Sequence, residues 1–178
     1  SSPANNSTIS LCSDFLSVKA KSYTRWESLF GNIQDAVRAL RTSYEIDYFS
    51  RIGLRYVNLI DREKLKLAGV PWVDLVRESA LGLLGDGDID NECLVEQNSV
   101  NVLSLSNGSV AIRSGVNFSD PGRKMRFVID SDFFSEAEIQ DDENAYELLK
   151  SYNRSARNAF RWFIKDPLHK ALEPTEAN

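Results

Sequence analysis

The stretch Ile46-Asp-Tyr-Phe-Ser-Arg-Ile-Gly-Leu-Arg-Tyr-Val-Asn-Leu-Ile60 decides the fold class. Its even positions Ile46, Tyr48, Ile52, Leu54, Tyr56 and Ile60 are mostly apolar, and its odd positions Asp47, Arg51, Gly53 and Arg55 are charged or bare. A period of two over this length, rich in β-branched and aromatic residues, predicts a long half-buried strand from Ile46 to Ile60. Arg51 and Arg55 then flank Gly53 on one face, two guanidinium forks ~13 Å apart along the strand.

Upstream, Thr8 to Ser13 and Leu16 to Tyr23 read as two short strands around Asp14-Phe15. A helix opens at Trp26, where Leu29, Phe30, Ile33, Ala36, Val37 and Leu40 recur at helical spacing. Thr24 followed by Glu27 is a capping-box pattern. Downstream, Trp72 to Leu84 reads as a second helix ended by Gly85, and Asp86 to Asn91 as an acidic loop. Glu92–Ser106 and Ser109–Asn117 predict a hairpin turning on Asn107-Gly108, because both central residues of such a turn need positive φ. Ser119-Asp120-Pro121-Gly122 turns the chain again, and Lys124 to Ser131 is a further strand. A long helix follows from Asp142 to about Ile164, with Ala145, Leu148, Leu149, Tyr152, Ala156, Ala159, Phe160 and Phe163 on one face. Pro167 stops it. The expected class is α+β: an antiparallel sheet of about six strands with helices packed on one face and a long C-terminal helix.

With 178 residues, one sizeable core is the default. The expectation is a disordered lead-in over 1–7, one domain over 8–172, and a loose tail over 173–178. The chain opens without Met, which reads as a fragment with elements missing upstream. Apolar and charged fractions of 42% and 26% are those of an ordinary globular protein. No apolar run approaches the roughly 20 residues that span a bilayer, and nothing signal-like opens the chain, so the expected setting is cytoplasmic with no membrane partner. Net charge −5 argues against wholesale coating of nucleic acid. Cys12 and Cys93 lie in strand-like runs and read as small buried hydrophobes. The sequons at Asn6, Asn107, Asn117 and Asn153 read as chance.

Four constellations carry chemistry. The Arg51-x-Gly53-x-Arg55 face suits a phosphate or carboxylate. The competing reading, which weighs more, pairs each Arg with Asp130 or Asp132, acids that alternate onto one face of their strand. Asp130-Ser131-Asp132 with Glu136 and Glu138 resembles a divalent-cation cluster, but no His or further Asp stands at a fixed spacing. Asp86-x-Asp88-x-Asp90 imitates the start of an EF-hand loop, yet Asn91 stands where Gly belongs and Gln97 where Glu belongs. Lys150, Arg154, Arg157, Arg161 and Lys165 form a basic row on the last helix that suits nucleic-acid phosphates. The same helix begins with Asp141, Asp142, Glu143 and Glu147, and acid first with base last equally complements the helix dipole. The lone His169 completes no triad, and P-loop, dinucleotide and HExxH patterns are all missing. No catalytic residue, cofactor or metal is therefore expected.

Thr8–Trp26, Arg51–Ile60 and Phe127–Phe134, with the long final helix, resemble a sporadically distributed bacterial family of uncharacterised proteins. Its hallmark is an Arg-x-Gly-Leu-Arg-Tyr-x-Asn-x-Ile strand, which falls here on Arg51, Gly53, Leu54, Arg55, Tyr56, Asn58 and Ile60. The family's Asp-x-Asp-x-Phe segment falls on Asp130, Asp132 and Phe134. The resemblance implies a fold and a bacterial cytosolic setting but no activity. It also implies that a strand–helix–strand region usual at the N-terminus is missing here. A departure follows Phe160, where this chain reads Trp162-Phe163-Ile164 in place of a polar segment.

The leading functional expectation is a non-catalytic protein-interaction module that engages a partner protein or its own copy, with Trp162, Phe163 and Tyr152 as exposed aromatics. Nucleic-acid binding through the basic row is the second. An anion-binding enzyme or sensor using Arg51 and Arg55 with Asp130 or Asp132 is the third.

Overall fold

The computed structural model describes residues 7–21, 25–119 and 124–172, which belong to two compact units, Ser1–Phe49 and Ser50–Asn178. The expected cap at Thr24, the turn at Asp120-Pro121-Gly122, the tail from Glu173, Asn6 and most of the lead-in lie outside the described residues; Ser7 already belongs to a strand.

In the first unit, β1 (Ser7–Leu11) pairs antiparallel with β2 (Leu16–Ala20), setting Ile9 opposite Val18 and Leu11 opposite Leu16. Helix α1 (Trp26–Ser43) lies against this hairpin and buries Leu29, Ala36 and Val37, three of the six positions that its spacing marks. Both strands are shorter than their sequence pattern. Cys12 falls in the turn, where its N–H donates to the Phe15 carbonyl at 2.9 Å. It is exposed, as is Cys93 in a short 3₁₀ turn, so the buried-hydrophobe reading fails for both.

The second unit carries β3 (Ile52–Ile60), α2 (Trp72–Leu75), α3 (Glu78–Leu81), β4 (Asn98–Leu105), β5 (Gly108–Ser119), β6 (Lys124–Ser135), α4 (Asp142–Phe163) and α5 (Asp166–Ala171). Its sheet is antiparallel in the order β3-β6-β5-β4. The expected single sheet of six strands is thus two sheets, of two and four. The division falls inside the opening stretch: β3 begins at Ile52, not Ile46. The Ile46 carbonyl accepts from the Arg41 guanidinium, which also stacks on Phe49.

Alternation within β3 keeps the predicted phase. Ile52, Leu54 and Ile60 are buried beside Phe133 and Phe127 of β6 and, one strand further, Val110 and Ile112 of β5. Onto this inner face α4 brings Ala145, Leu149, Tyr152, Ala156 and Phe163. Tyr56 Oη donates to Asn153 Oδ1 of α4 at 2.9 Å, and Ser114 Oγ of β5 donates to the Ala80 carbonyl of α3 at 3.0 Å. Tyr152 and Phe163, expected as exposed aromatics, are core residues because the apolar stripe of α4 is the stripe that meets the sheet.

The expected helix over Trp72–Leu84 is broken. Val76 forms an antiparallel bridge with Ile164: Arg77 N–H donates to the Phe163 carbonyl at 2.9 Å, and Lys165 N–H donates to the Leu75 carbonyl at 2.8 Å. The same bridge ends α4, so Pro167 stops nothing. It sits in the first turn of α5, where a missing N–H costs no hydrogen bond.

The β4–β5 turn is Ser106-Asn107, one residue earlier than expected, and only Gly108 has positive φ, at 139°. An alanine Cβ at Gly108 would lie 2.2 Å from the Phe134 carbonyl oxygen and 2.5 Å from Tyr152 Oη. Close approach, not a mirror-image turn, is what demands glycine there. Upstream, Gln97 leaves the strand pattern to serve other elements: its Oε1 accepts from Leu84 N–H and its carbonyl accepts from Val116 N–H.

Asp141 caps α4, accepting from Asn144 N–H at 2.7 Å. That bond holds its carboxyl below the ordinary value of 3.8. A carboxylate depressed on folding stabilises above its unfolded value and loses the effect as pH falls through the folded one. Asp141→Ala should therefore melt below the wild type at neutral pH, with a gap that closes as the pH drops below 3.8. Thermal melts at the two extremes check this; an equal gap at both would show that charge plays no part in the cap.

Candidate functional site

The face of the four-stranded sheet turned away from α4 collects the odd residues of β3 and their register partners. One row runs Gly53, Phe134, Ser109, Ser104; the next runs Arg55, Asp132, Ala111, Val102; then Val57, Asp130, Arg113, Val100; then Leu59, Val128, Gly115, Asn98. Antiparallel pairing of β3 with β6 thus brings Arg51, Arg55, Asp130 and Asp132 together.

Arg55 directly faces Asp132 but donates to the next acid along. Its Nε and Nη2 reach the two Asp130 oxygens at 2.8 and 2.6 Å, a bidentate fork. The Asp130 hydrogen bond, helped by the charges of Asp130 and Asp132 and opposed by burial, raises the pKa of Arg55 above that of a free guanidinium. The Asp130 side chain is only 8% exposed while that of Arg55 is 57% exposed, so the acid depends on the base more than the reverse. Arg51 Nη2 lies 3.1 Å from Asp132 Oδ2, and its guanidinium rests on the Phe134 ring at 4.9 Å. Gly53 provides the passage: a Cβ there would stand 3.1 Å from Arg51 Nη1. The bare position between the arginines is filled by one of them.

Both forks therefore rest on carboxylates of the same sheet. An incoming anion would compete with a nearly buried Asp130, and no empty cradle separates the two arginines. A shallow depression of about 720 Å³ does open in this unit, beside the Ser106-Asn107 turn. Asn107, Ser135, Glu136, Asn144, Glu147 and Ser151 line part of it, and none of the four ion-pair residues does.

The basic row of α4 does not stay together. Lys150 pairs with Glu147 at 2.7 Å, and Arg161 pairs with Asp166 at 2.7 Å while donating to the Ile164 carbonyl at 3.1 Å. Lys150 holds the Glu147 carboxyl, and Arg161 the Asp166 carboxyl, below the usual carboxylate range. Lys165 lies beyond the helix end. Arg154 and Arg157 remain as exposed members of the row. Trp162 is about half exposed and carries Arg77 stacked at 4.8 Å. Among the described residues no three His, Cys, Asp or Glu side chains gather as a metal group, and no helix is long and apolar enough to cross a membrane.

Sequence reasoning missed the apolar half of this face. Val57 and Leu59 are 61% and 49% exposed, and Val100 and Val102 of β4 are 62% and 63% exposed. Two apolar residues at odd positions of β3 break its alternation, and that break was the available signal. Arg113, in register with Asp130, was equally legible from the alternation of β5. Compared with protein-family models, with curated proteins and with solved structures, the chain matches none.

Proposed function

We propose that this chain is a protein-interaction module whose contact surface is the open face of its four-stranded sheet. The observation that carries this reading is a pairing of opposites on one face: the arginines that would recognise an anion are occupied by Asp130 and Asp132, while Val57 and Leu59 on one edge strand and Val100 and Val102 on the other face solvent. Exposed apolar residues that flank internally balanced charge are what a protein partner covers. The resemblance through Arg51, Gly53, Arg55, Tyr56 and Asn58 remains part of our reading, and a bacterial setting rests on it alone. It assigns no reaction.

The test uses the tagged full chain as bait in an extract of its source organism, beside a Val57→Lys/Leu59→Lys variant and an Arg154→Glu/Arg157→Glu variant. The expected result is a partner lost at least about 10-fold in the sheet variant and retained in the helix variant. Equal capture by all three baits would remove the sheet face from consideration. Nuclease-sensitive material lost only in the arginine variant, with affinity falling steeply in salt, would move the function to nucleic acid.

A further inference from the structure

One edge of the four-stranded sheet is built differently from the other. β4 ends the sheet order, so among the described residues its outer backbone edge has no ladder partner. Sheet edges are ordinarily blunted by charge, proline or a bulge, because unpaired N–H and C=O groups recruit further strands. The opposite edge strand, β3, carries Arg55. β4 carries nothing of the kind: Asn98-Ser-Val-Asn-Val-Leu-Ser-Leu105 has no charged residue, no proline and no glycine. It is also exposed on both faces, through Val100 and Val102 on the open face and Leu103, 52% exposed, on the other.

We propose that the β4 edge is where two copies of this chain pair, antiparallel, about a two-fold axis at Asn101. This contact goes beyond the open-face reading above: it lies at the β4 edge and leaves Val57 and Leu59, on the opposite edge strand, uncovered. Pairing that keeps both open faces on one side requires paired residues to share parity, since side chains alternate along a strand. With Asn101 opposite itself, Val100 faces Val102 of the second copy, and Val102 faces its Val100. Four exposed valines then meet in two cross-strand pairs, the contact type that β-branched residues favour. No charged side chain of β4 is brought opposite a like one, because β4 has none. A charged strand finds no complement on this edge, which selects an uncharged partner, and the chain's own β4 is one. The row Val57-Asp130-Arg113-Val100 would continue into Val102-Ala111-Asp132-Arg55 of the second copy, so the valine pair separates two charge clusters already balanced within each copy. The arrangement is isologous and uses the β4 edge of each copy, so it closes at two copies.

An edge contact of this length is small for a specific interface, and a weak, concentration-dependent dimer follows. Sedimentation velocity on the full chain from about 1 to about 300 µM should show monomer giving way to dimer. Val100→Lys/Val102→Lys should raise the dissociation constant at least about 100-fold, because like charges meet twice at the axis. Its circular dichroism and melting temperature should not change, since both positions are exposed. Val100→Lys/Val102→Glu should restore the dimer at low salt, as the introduced lysine of each copy faces the introduced glutamate of the other; a two-fold at Val102 would instead oppose glutamate to glutamate. A wild type that stays monomeric throughout, a dimer that survives the double lysine variant, or growth past two copies into scattering aggregates each overturns the proposal. If the wild type is monomeric while Val57→Lys/Leu59→Lys still loses a captured protein, the interaction reading stands and the self-pairing falls.

Discussion

Gly108→Ala should cost this protein about 3 kcal/mol, the combined scale of a forced positive φ and an overpacked contact. At φ 139° the added Cβ meets the Phe134 carbonyl oxygen at 2.2 Å and Tyr152 Oη at 2.5 Å. Backbone on one side and a fully buried phenol on the other leave it nowhere to go. The phenol is held in place by its own bond to the Asn107 carbonyl at 2.7 Å, so relief means giving up that bond or the Leu105–Gly108 pair that closes the hairpin. Gly87→Ala is the matched control, with nothing within 4 Å of the new Cβ. Urea unfolding of both variants decides it. Equal midpoints would mean that the hairpin end is loose enough to yield, and that Tyr152 does not fix it.

Arg55→Ala should cost about 2 kcal/mol, and more than Asp130→Asn. Removing one partner of a buried ion pair is worth ~3–5 kcal/mol because an uncompensated charge stays behind. Here the charge left behind differs between the two variants. Without Arg55, a carboxylate 8% exposed loses two hydrogen bonds; without the Asp130 charge, a guanidinium 57% exposed simply hydrates. Arg113, in register on the far side of Asp130, offsets part of the loss and keeps the figure below the fully buried scale. A double-mutant cycle measures the coupling directly. If Arg55→Ala unfolds at the wild-type midpoint, Asp130 does not need its partner, and Arg55 becomes available to a ligand after all.

What the sequence made legible, and what it did not, follows a physical line. The four ion-pair residues could be placed on one face because period-two alternation fixes side, and side survives errors in strand length. Ile52 to Ile60 kept its phase although the six expected residues before it lie outside the strand. The broken helix over Trp72–Leu84 was illegible for the opposite reason. On either side of Val76, the Leu75 carbonyl and the Arg77 N–H go to Lys165 and Phe163, residues remote in sequence, and local spacing carries no trace of that choice. Tyr152 was placed on the apolar stripe of its helix yet also counted as exposed; only the position of the sheet decides between the two. The turn at Ser106-Asn107 slipped by one because the Asn-Gly signal reports a need for glycine but not which need. The cysteines failed because the strand runs around them were shorter than their composition suggested.

The Val76–Ile164 bridge also constrains how this unit is made. Its strands are laid down first, but the helix that covers their inner face comes last, and the bridge that breaks the early helix needs the residues that follow it. β3 likewise waits for β6, across the whole β4–β5 hairpin. During synthesis, a chain emerging from the ribosome holds Leu54, Phe127, Ile129 and Phe133 on an uncovered sheet until α4 has cleared the exit tunnel. Such long-range pairing delays closure until α4 has been made. Nascent chains halted before Asp142 should therefore be the form that holding chaperones retain.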